Sequence, residues 1–260
     1  MKIALVSLNQ IWEDKKANFD LYEKYILKAS EQNVDLIIFP EMTLTGFSNN
    51  IDLTSEEFET SKTIEGFSSL AKKFQMGIVF GVVIKNGDKA FNKSIFIDKF
   101  GEILGDYSKI HPFSFAGEDK YFNAGNKLSV VHFEDMTIGL TICYDLRFPE
   151  LYTGLAKKSD LIINIANWPA KRVDHWNTLL KARAIENQIF IVGVNRTGID
   201  GNGLEYIESS NIFNANGENL NFEQVEDMKI YEIDTNWTKE FKIKFNTTND
   251  RKIEFYKEIL

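Results

Sequence analysis

Three polar residues, Glu41, Lys109 and Cys143, stand just beyond strand-like stretches of the chain, and together their types could carry out a nucleophilic attack on a carbonyl group. Glu41 directly follows "LIIFP", Lys109 lies in "YSKIHPF" after a hairpin-like region, and Cys143 ends "MTIGLTIC". A thiol can act as a nucleophile, a carboxylate can remove its proton, and an ammonium can stabilise charge developing on a carbonyl oxygen. This combination fits acyl transfer through a covalent intermediate.

Each of these residues also has an ordinary structural interpretation. Cys143 is the only cysteine among 260 residues, and a lone cysteine at the end of a strand is most often a small core residue. Glu41 could cap a helix that begins in "MTLTGF", and Lys109 could be a solvated loop lysine. Taken singly, none of the three residues compels a function.

The elements that would position these residues alternate along the chain. Continuous apolar runs such as "VDLIIFP", "MTIGLTIC" and "DLIINIAN" predict buried strands. Between them, apolar residues recur at helical spacing, and "NGD" separates two strand-like runs as in a hairpin. This alternation predicts one α/β domain over residues 1–260 with a largely central sheet. Since loops at the carboxyl ends of strands aim side chains into a common crevice, Glu41, Lys109 and Cys143 could meet there.

Composition excludes several other classes of protein. The formal net charge of −8 and the pI near 5.1 argue against nucleic acid or an anionic membrane as the main partner. The apolar runs are far shorter than the roughly 20 residues that cross a bilayer, and "MKIALVSLNQ" is typical of a strand rather than a signal peptide. One cysteine allows no intrachain disulfide, which suits the cytoplasm. With three histidines and one cysteine, we expect neither a metal nor a cofactor.

Three motifs in order, "FPEMTLTGF", "YSKIHPFSFAGE" and "ICYDLRFPELY", change the balance between these interpretations. Together with the flanking sequence, from "KIALVSLNQ" to "NIFNANGE", they make essentially the whole chain resemble the nitrilase superfamily of carbon–nitrogen hydrolases, in particular its omega-amidase branch. The resemblance implies a four-layer α-β-β-α sandwich, usually assembled as a homodimer. It also implies that Glu41 is the general base, Lys109 the electrophilic stabiliser and Cys143 the nucleophile.

The resemblance further implies two supporting residues. Glu118, in "FAGEDKY", would orient Lys109 or the substrate amide, and the backbone N–H of Tyr144 would share an oxyanion hole with Lys109. Pro112 departs from the aliphatic residue that relatives commonly carry, and we expect it to alter the shape of the loop rather than the chemistry. Lys109 should favour the thiolate of Cys143, and a Lys109→Ala variant should fold normally but be nearly inactive.

Relatives of the omega-amidase type act on amides whose other end is a carboxylate, so cationic residues near the thiol are candidate ligands. Arg147 and Arg172 are the two candidates, although Arg147 could instead form an ion pair with Asp145 or Glu150. Aromatic residues could form the walls of the pocket: Phe115, Tyr144 and Trp168.

The function predicted from the resemblance is a thiol amidohydrolase. It would release ammonia from the omega-amide of small dicarboxylate monoamides such as 2-oxoglutaramate or 2-oxosuccinamate. Two alternatives within the superfamily are hydrolysis of deaminated glutathione and hydrolysis of N-carbamoyl amines. A catalytically silent scaffold of the same fold is an alternative from another class, and the intact Glu41, Lys109 and Cys143 argue against it.

Overall fold

The computed structural model describes residues 1–259. Its strands are β1 (Lys2–Val6), β2 (Leu36–Ile38), β3 (Gly77–Asn86), β4 (Lys89–Ile97), β5 (Ile103–Ser108), β6 (Val130–Phe133), β7 (Met136–Ile142), β8 (Leu161–Ala166), β9 (Phe190–Asn195), β10 (Gly198–Ile199), β11 (Glu205–Tyr206), β12 (Asn211–Phe213), β13 (Glu223–Val225) and β14 (Met228–Glu232). Its α-helices are α1 (Lys15–Glu31), α2 (Ile51–Thr54), α3 (Lys62–Phe74), α4 (Glu118–Tyr121), α5 (Pro149–Ala156), α6 (Val173–Asn187), α7 (Trp237–Lys244) and α8 (Ile253–Ile259).

The larger strands form two mixed sheets. In the first sheet the order is β13-β14-β1-β2-β3-β4-β5, and in the second it is β12-β9-β8-β7-β6. The inner strands are parallel: β2 pairs in parallel with β1 and β3, and β8 with β7 and β9. The short strands β10 and β11 form a separate antiparallel hairpin. Each sheet therefore brings the carboxyl ends of several parallel strands to one edge.

The apolar residues explain why four layers form. Along β2, Ile37 packs with the residues of α1 and α3, whereas Leu36 and Ile38 pack with residues of the second sheet. This alternation buries both faces of the strand. The second sheet repeats the pattern, with Ile163 facing the first sheet and Ile162 packing against α5 and α6. The resulting α-β-β-α sandwich confirms the expected fold class.

Most of the predicted elements are present. The "NGD" segment forms the turn between β3 and β4, where Gly87 has a φ of +63°, and Pro149 is the first residue of α5. The sequence did not indicate β5, β6, β10, β11 or β13, which are short strands or strands with several exposed residues. Within residues 1–259, none of the helices has both the length and the apolar character needed to span a membrane.

Candidate active site

Four strands of the two sheets, β2, β5, β7 and β8, end near the same pocket. The chain leaves β2 and reaches Glu41 three residues later, whereas Cys143 directly follows β7 and Asn167 directly follows β8. Lys109 is the first residue after β5. The Glu41 carboxylate accepts hydrogen bonds from both Lys109 and Asn167, and Lys109, Cys143 and Asn167 line one pocket. The structure thus brings Glu41, Lys109 and Cys143 together, as the positions at strand ends predict.

The loop that carries Glu41 lies unusually close to the neighbouring strand. A Cβ atom at Gly81 of β3 would lie 2.3 Å from the backbone nitrogen of Met42, so only glycine permits this approach. Met42 itself has a φ of +46°. The side-chain amide of Gln10 donates to the carbonyl oxygens of Glu41, Met42 and Thr43, each at 3.1 Å. These contacts fix the backbone of Glu41 where its carboxylate enters the cluster.

Lys109 is buried between two carboxylates. Its Nζ lies 3.0 Å from Glu41 Oε1 and 2.8 Å from Glu118 Oε2, and all three residues are at most 1% exposed. Burial opposes the charged form, but the carboxylates of Glu118 and Glu41 outweigh it, so the pKa of Lys109 is raised above its ordinary value. Two carboxylates around one ammonium give the cluster a formal charge of −1.

Two asparagines that the sequence did not single out complete the binding of Glu41. Asn92 Nδ2 donates to Glu41 Oε1 at 2.7 Å and to Glu118 Oε1 at 3.0 Å. The backbone N–H of Asn167 donates to Glu41 Oε2 at 2.9 Å, and its side-chain amide donates to the Glu41 carbonyl at 2.7 Å. In the sequence, Asn92 could have been noticed as a polar residue at a position of "AFNKSIFI" that the strand buries.

Cys143 has a strained backbone and a thiol whose pKa is raised. Its φ of +46° is rare for a non-glycine residue and costs about 1–3 kcal/mol, a kind of strain that clusters at functional sites. Its Sγ lies 3.9 Å from the carbonyl oxygen of Asn167. Burial and the Glu41 carboxylate raise the pKa of the Cys143 thiol well above its ordinary value, outweighing the opposite effect of Lys109. The sequence-based expectation gave the direction of the Lys109 effect but missed the stronger opposing groups.

Asp145 ties the turn after Cys143 to the segment that carries Lys109. Its Oδ2 accepts from the Tyr107 hydroxyl at 2.8 Å and from the backbone N–H of Ile142 at 3.0 Å. Its Oδ1 accepts from the backbone N–H of His111 at 3.0 Å. Asp145 is completely buried, and among residues 1–259 Arg147 has no carboxylate within 4 Å. The alternative in which Arg147 pairs with Asp145 or Glu150 is therefore wrong.

The pocket above Cys143 has an empty volume of about 480 Å³, part of it open to solvent. Arg147 and Arg172 both line it, together with Tyr144 and Trp168. The Arg147 guanidinium lies 4.9 Å from the centre of the Trp168 ring, and that of Arg172 lies 5.7 Å from the centre of the Phe113 ring. Among residues 1–259, neither arginine has a carboxylate within 4 Å.

Phe115 is a correction to the expected pocket wall. Its side chain is 88% exposed and does not line the pocket, whereas Phe113 does. The reason is a 3₁₀ turn over Ser114–Ala116, which directs Phe115 outward. The sequence also missed Leu204 and Tyr206, which close the pocket from the β10–β11 hairpin.

Two contacts hold Tyr206 in that wall. Its hydroxyl donates to Asp200 Oδ2 at 2.8 Å, and its ring lies 4.7 Å from the guanidinium of Arg196. The short, separated strands of this hairpin gave no apolar run in the sequence. This explains why the contribution of the hairpin to the pocket was not predicted.

Comparison with known proteins agrees with this geometry. The model of the carbon–nitrogen hydrolase family matches residues 2–242. The omega-amidase YafV of Yersinia enterocolitica is 36% identical to this chain, covering 84% of it and 83% of that protein. A 2-oxoglutaramate amidase of Paenarthrobacter nicotinovorans is 35% identical, covering 85% of this chain and 80% of that protein.

Solved structures show the same fold. XC1258 of Xanthomonas campestris, a CN-hydrolase superfamily protein with an arsenic adduct in its active site, superposes with a TM-score of 0.89 at 30% identity, covering 96% of this chain and 97% of that chain. An amidase from Nesterenkonia sp. superposes with a TM-score of 0.87 at 23% identity, covering 100% of this chain and 96% of that chain. The chain therefore belongs to the carbon–nitrogen hydrolase family of the nitrilase superfamily, whose members it joins as a hydrolase of amide carbon–nitrogen bonds.

Proposed function

We propose that this protein is an omega-amidase that removes ammonia from small amides bearing a carboxylate at the other end, such as 2-oxoglutaramate or 2-oxosuccinamate. The observation that carries the proposal is the pair of guanidiniums of Arg147 and Arg172, which line the pocket of Cys143 without a carboxylate partner among residues 1–259. Guanidinium groups bind carboxylates through two parallel hydrogen bonds. The similar proteins named as omega-amidase and 2-oxoglutaramate amidase support the same substrate class.

The pocket gives such a substrate one orientation. Its amide would lie against Cys143 at the closed end of the pocket, where Lys109 is buried. Its carboxylate would lie between Arg147 and Arg172, nearer the mouth of the pocket. The aromatic rings of Tyr144 and Trp168 would contact the short carbon chain between the two ends. A protein with a formal charge of −8 needs such a local positive region to hold an anionic ligand.

In the first half of the reaction, Cys143 Sγ attacks the amide carbon and Glu41 accepts the thiol proton. Because the pKa of the thiol is raised, the proton leaves as the sulfur–carbon bond forms rather than beforehand. The carbonyl oxygen becomes negatively charged and is stabilised by Lys109 and the backbone N–H of Tyr144. The carbon–nitrogen bond then breaks, Glu41 returns its proton to nitrogen, and ammonia leaves a thioester on Cys143.

In the second half, water replaces ammonia. Glu41 takes a proton from the water as its oxygen attacks the thioester carbon. The carbon–sulfur bond then breaks, and the sulfur regains its proton from Glu41. Glu118 stays paired with Lys109 throughout and so keeps the ammonium directed at the reacting carbonyl. The net reaction converts an amide and water into a carboxylic acid and ammonia.

The proposal also includes a cytoplasmic homodimer. Exposed apolar side chains in the C-terminal segment support association, since Ile243 is 85% exposed and Phe245 62% exposed. A lone cysteine that must stay a free thiol suits a reducing compartment. Light scattering on the purified chain tests the assembly, and a monomer at micromolar concentration would contradict it.

A substrate panel tests the proposed activity. We expect ammonia release to be fastest with 2-oxoglutaramate or 2-oxosuccinamate, slower with deaminated glutathione, and absent with an N-carbamoyl amine. A neutral amide of the same length serves as the control for the carboxylate, and Cys143→Ala as the control for the enzyme. Preference for the neutral amide or the N-carbamoyl amine would contradict the proposal.

A further inference from the structure

Asn92 is a buried amide that contacts two of the charged groups of the site but does not line the pocket. It lies on β4 and is 1% exposed. Its Nδ2 donates one hydrogen bond to Glu41 and one to Glu118, at 2.7 and 3.0 Å. Its backbone oxygen accepts from the backbone N–H of Lys109 at 2.9 Å. A single residue therefore touches all three members of the charge cluster.

The orientation of the Asn92 amide follows from these neighbours. If the amide were rotated, its oxygen rather than its nitrogen would face two carboxylates, and both hydrogen bonds would become repulsive contacts. In the present orientation Asn92 Oδ1 is buried without a hydrogen-bond partner. An unpartnered buried oxygen is unfavourable, which indicates that the bonds from the nitrogen to the carboxylates determine the residue type here.

We propose that Asn92 is a positioning residue whose two hydrogen bonds hold the carboxylates of Glu41 and Glu118 in place around the single ammonium of Lys109, so that Glu41 can act as the base. The inference rests on the proposed function of Glu41. A second cation could neutralise the carboxylates but would compete with Lys109 for them. The neutral amide supplies two hydrogens without adding charge, and hydrogen bonds to an ionised carboxylate favour that form.

The groups that face Glu41 define the expected pH effect. The titratable groups are Lys109, Glu118 and Cys143, and the neutral ones are Asn92 and Asn167. When the Asn92 donor is removed, the Glu41 carboxylate keeps hydrogen bonds from Lys109 and Asn167 only, and hydrogen bonds to a carboxylate favour it over its protonated form. The acid limb of kcat should therefore move upward by about one to two pH units.

The test compares Asn92→Leu and Asn92→Asp with the unchanged protein. Leucine removes the donor at similar volume, and aspartate keeps the shape but adds a third carboxylate, so its acid limb should move at least as far. We expect KM to change less than about threefold, since Asn92 does not reach the pocket. Asn187→Leu is the matched control, because Asn187 is 1% exposed and donates to the Arg183 carbonyl at 3.0 Å. It should lower Tm without moving the acid limb.

A second measurement does not depend on turnover. The infrared band of a protonated carboxyl group, assigned to Glu41 by its absence in Glu41→Gln, should appear at a higher pH in both Asn92 variants than in the unchanged protein. Unshifted titration of this band, or a kcat that falls equally at every pH, would overturn the role of Asn92. If the unchanged protein releases no ammonia from any carboxylate-bearing amide, the proposed function fails, while the infrared titration still decides the role of Asn92.

Discussion

The closed end and the open end of the pocket hold their charges in different ways. At the closed end, the ammonium of Lys109 lies within 3.0 Å of both Glu41 and Glu118. At the open end, the guanidiniums of Arg147 and Arg172 lie over aromatic rings and have no carboxylate within 4 Å among residues 1–259. The closed end is thus complete without a ligand, whereas the open end has positive charge that a ligand can neutralise. We infer that the two ends separate chemistry from recognition.

Removal of the nucleophile should give the largest loss. We expect Cys143→Ala to lose about 10⁴-fold or more in kcat, as removal of a catalytic nucleophile does elsewhere. The Sγ atom makes only a long contact, 3.9 Å from the Asn167 carbonyl oxygen, so Tm should change little. Ammonia release and thermal unfolding measured on the same preparation check both statements. Residual activity within tenfold of the unchanged protein would break the assignment of chemistry to the closed end.

Removal of Lys109 should damage both rate and stability. We expect Lys109→Met to lose about 10²–10³-fold in kcat, because an oxyanion donor disappears. It should also lose about 3–5 kcal/mol of stability, because two buried carboxylates are left without their cation. This revises the expectation that a Lys109→Ala variant folds normally.

The stability deficit of Lys109→Met should depend on pH in a defined direction. Protonation relieves a carboxylate that has lost its cation, so the deficit should be smaller at pH 5 than at pH 8. Urea unfolding at the two pH values measures the difference. An equal deficit at both pH values would show that the carboxylates are not the source of the instability.

Loss of a pocket arginine should weaken binding rather than chemistry. We expect Arg172→Met to raise KM for 2-oxoglutaramate by about 10–100-fold, the value of a hydrogen bond to a charged group, and to change kcat much less. Arg147→Met should act in the same direction. A neutral amide of equal length is the matched control, and its KM should stay within about threefold. A loss of kcat with both substrates would blur the separation between the two ends.

The thiol of Cys143 should react slowly at neutral pH. Because burial and Glu41 raise its pKa well above the ordinary value, the fraction of thiolate at any given pH is smaller than in an exposed cysteine. We expect iodoacetamide to alkylate Cys143 at least about tenfold more slowly at pH 7 than it alkylates the same residue in the unfolded chain. Faster alkylation in the folded protein would indicate a preformed thiolate and a different balance of charges at the closed end.

The smallest effect should come from the exposed aromatic residue of the loop. We expect Phe115→Ala to change kcat/KM less than about twofold, since the side chain lies outside the pocket. Phe113→Ala should raise KM more, because the Phe113 ring lines the pocket and supports the Arg172 guanidinium. The two variants together locate the boundary of the open end, and the reverse order of effects would move that boundary.

Whether a site residue could be predicted from the sequence depends on whether a local sequence pattern determines its position. Glu41 and Cys143 follow continuous buried strands, and such strands are visible as apolar runs, so their convergence could be predicted. Asn92 and Asn167 contact Glu41 from positions 51 and 126 residues away in sequence, and no local pattern reports such distant pairs. The outward direction of the Phe115 side chain results from a 3₁₀ turn of three residues. Such a turn is too short to leave a periodic signal in the sequence.

The direction of the pKa shift of Cys143 could not be predicted from the sequence, for a related reason. It depends on how many carboxylates share one ammonium, and that number follows from distances in the folded chain rather than from residue types. Lys109 alone favours a thiolate, but Lys109 between Glu41 and Glu118 belongs to a cluster with a net negative charge. The layer architecture, in contrast, follows from the two-residue alternation within strands such as β2. The alternation of elements predicted an α/β domain but with one largely central sheet, whereas the structure has two main sheets; the four layers were correctly predicted from the family resemblance.

Rapid acid quenching followed by intact-protein mass spectrometry tests the central claim most directly. During turnover of 2-oxoglutaramate, the chain should gain the mass of the substrate acyl group without its ammonia, and peptide mapping should place that group on Cys143. The adduct should be absent from Cys143→Ala and should disappear as substrate is exhausted. Ammonia release by the unchanged protein with no adduct, together with activity retained in Cys143→Ala, would contradict catalysis through a thioester.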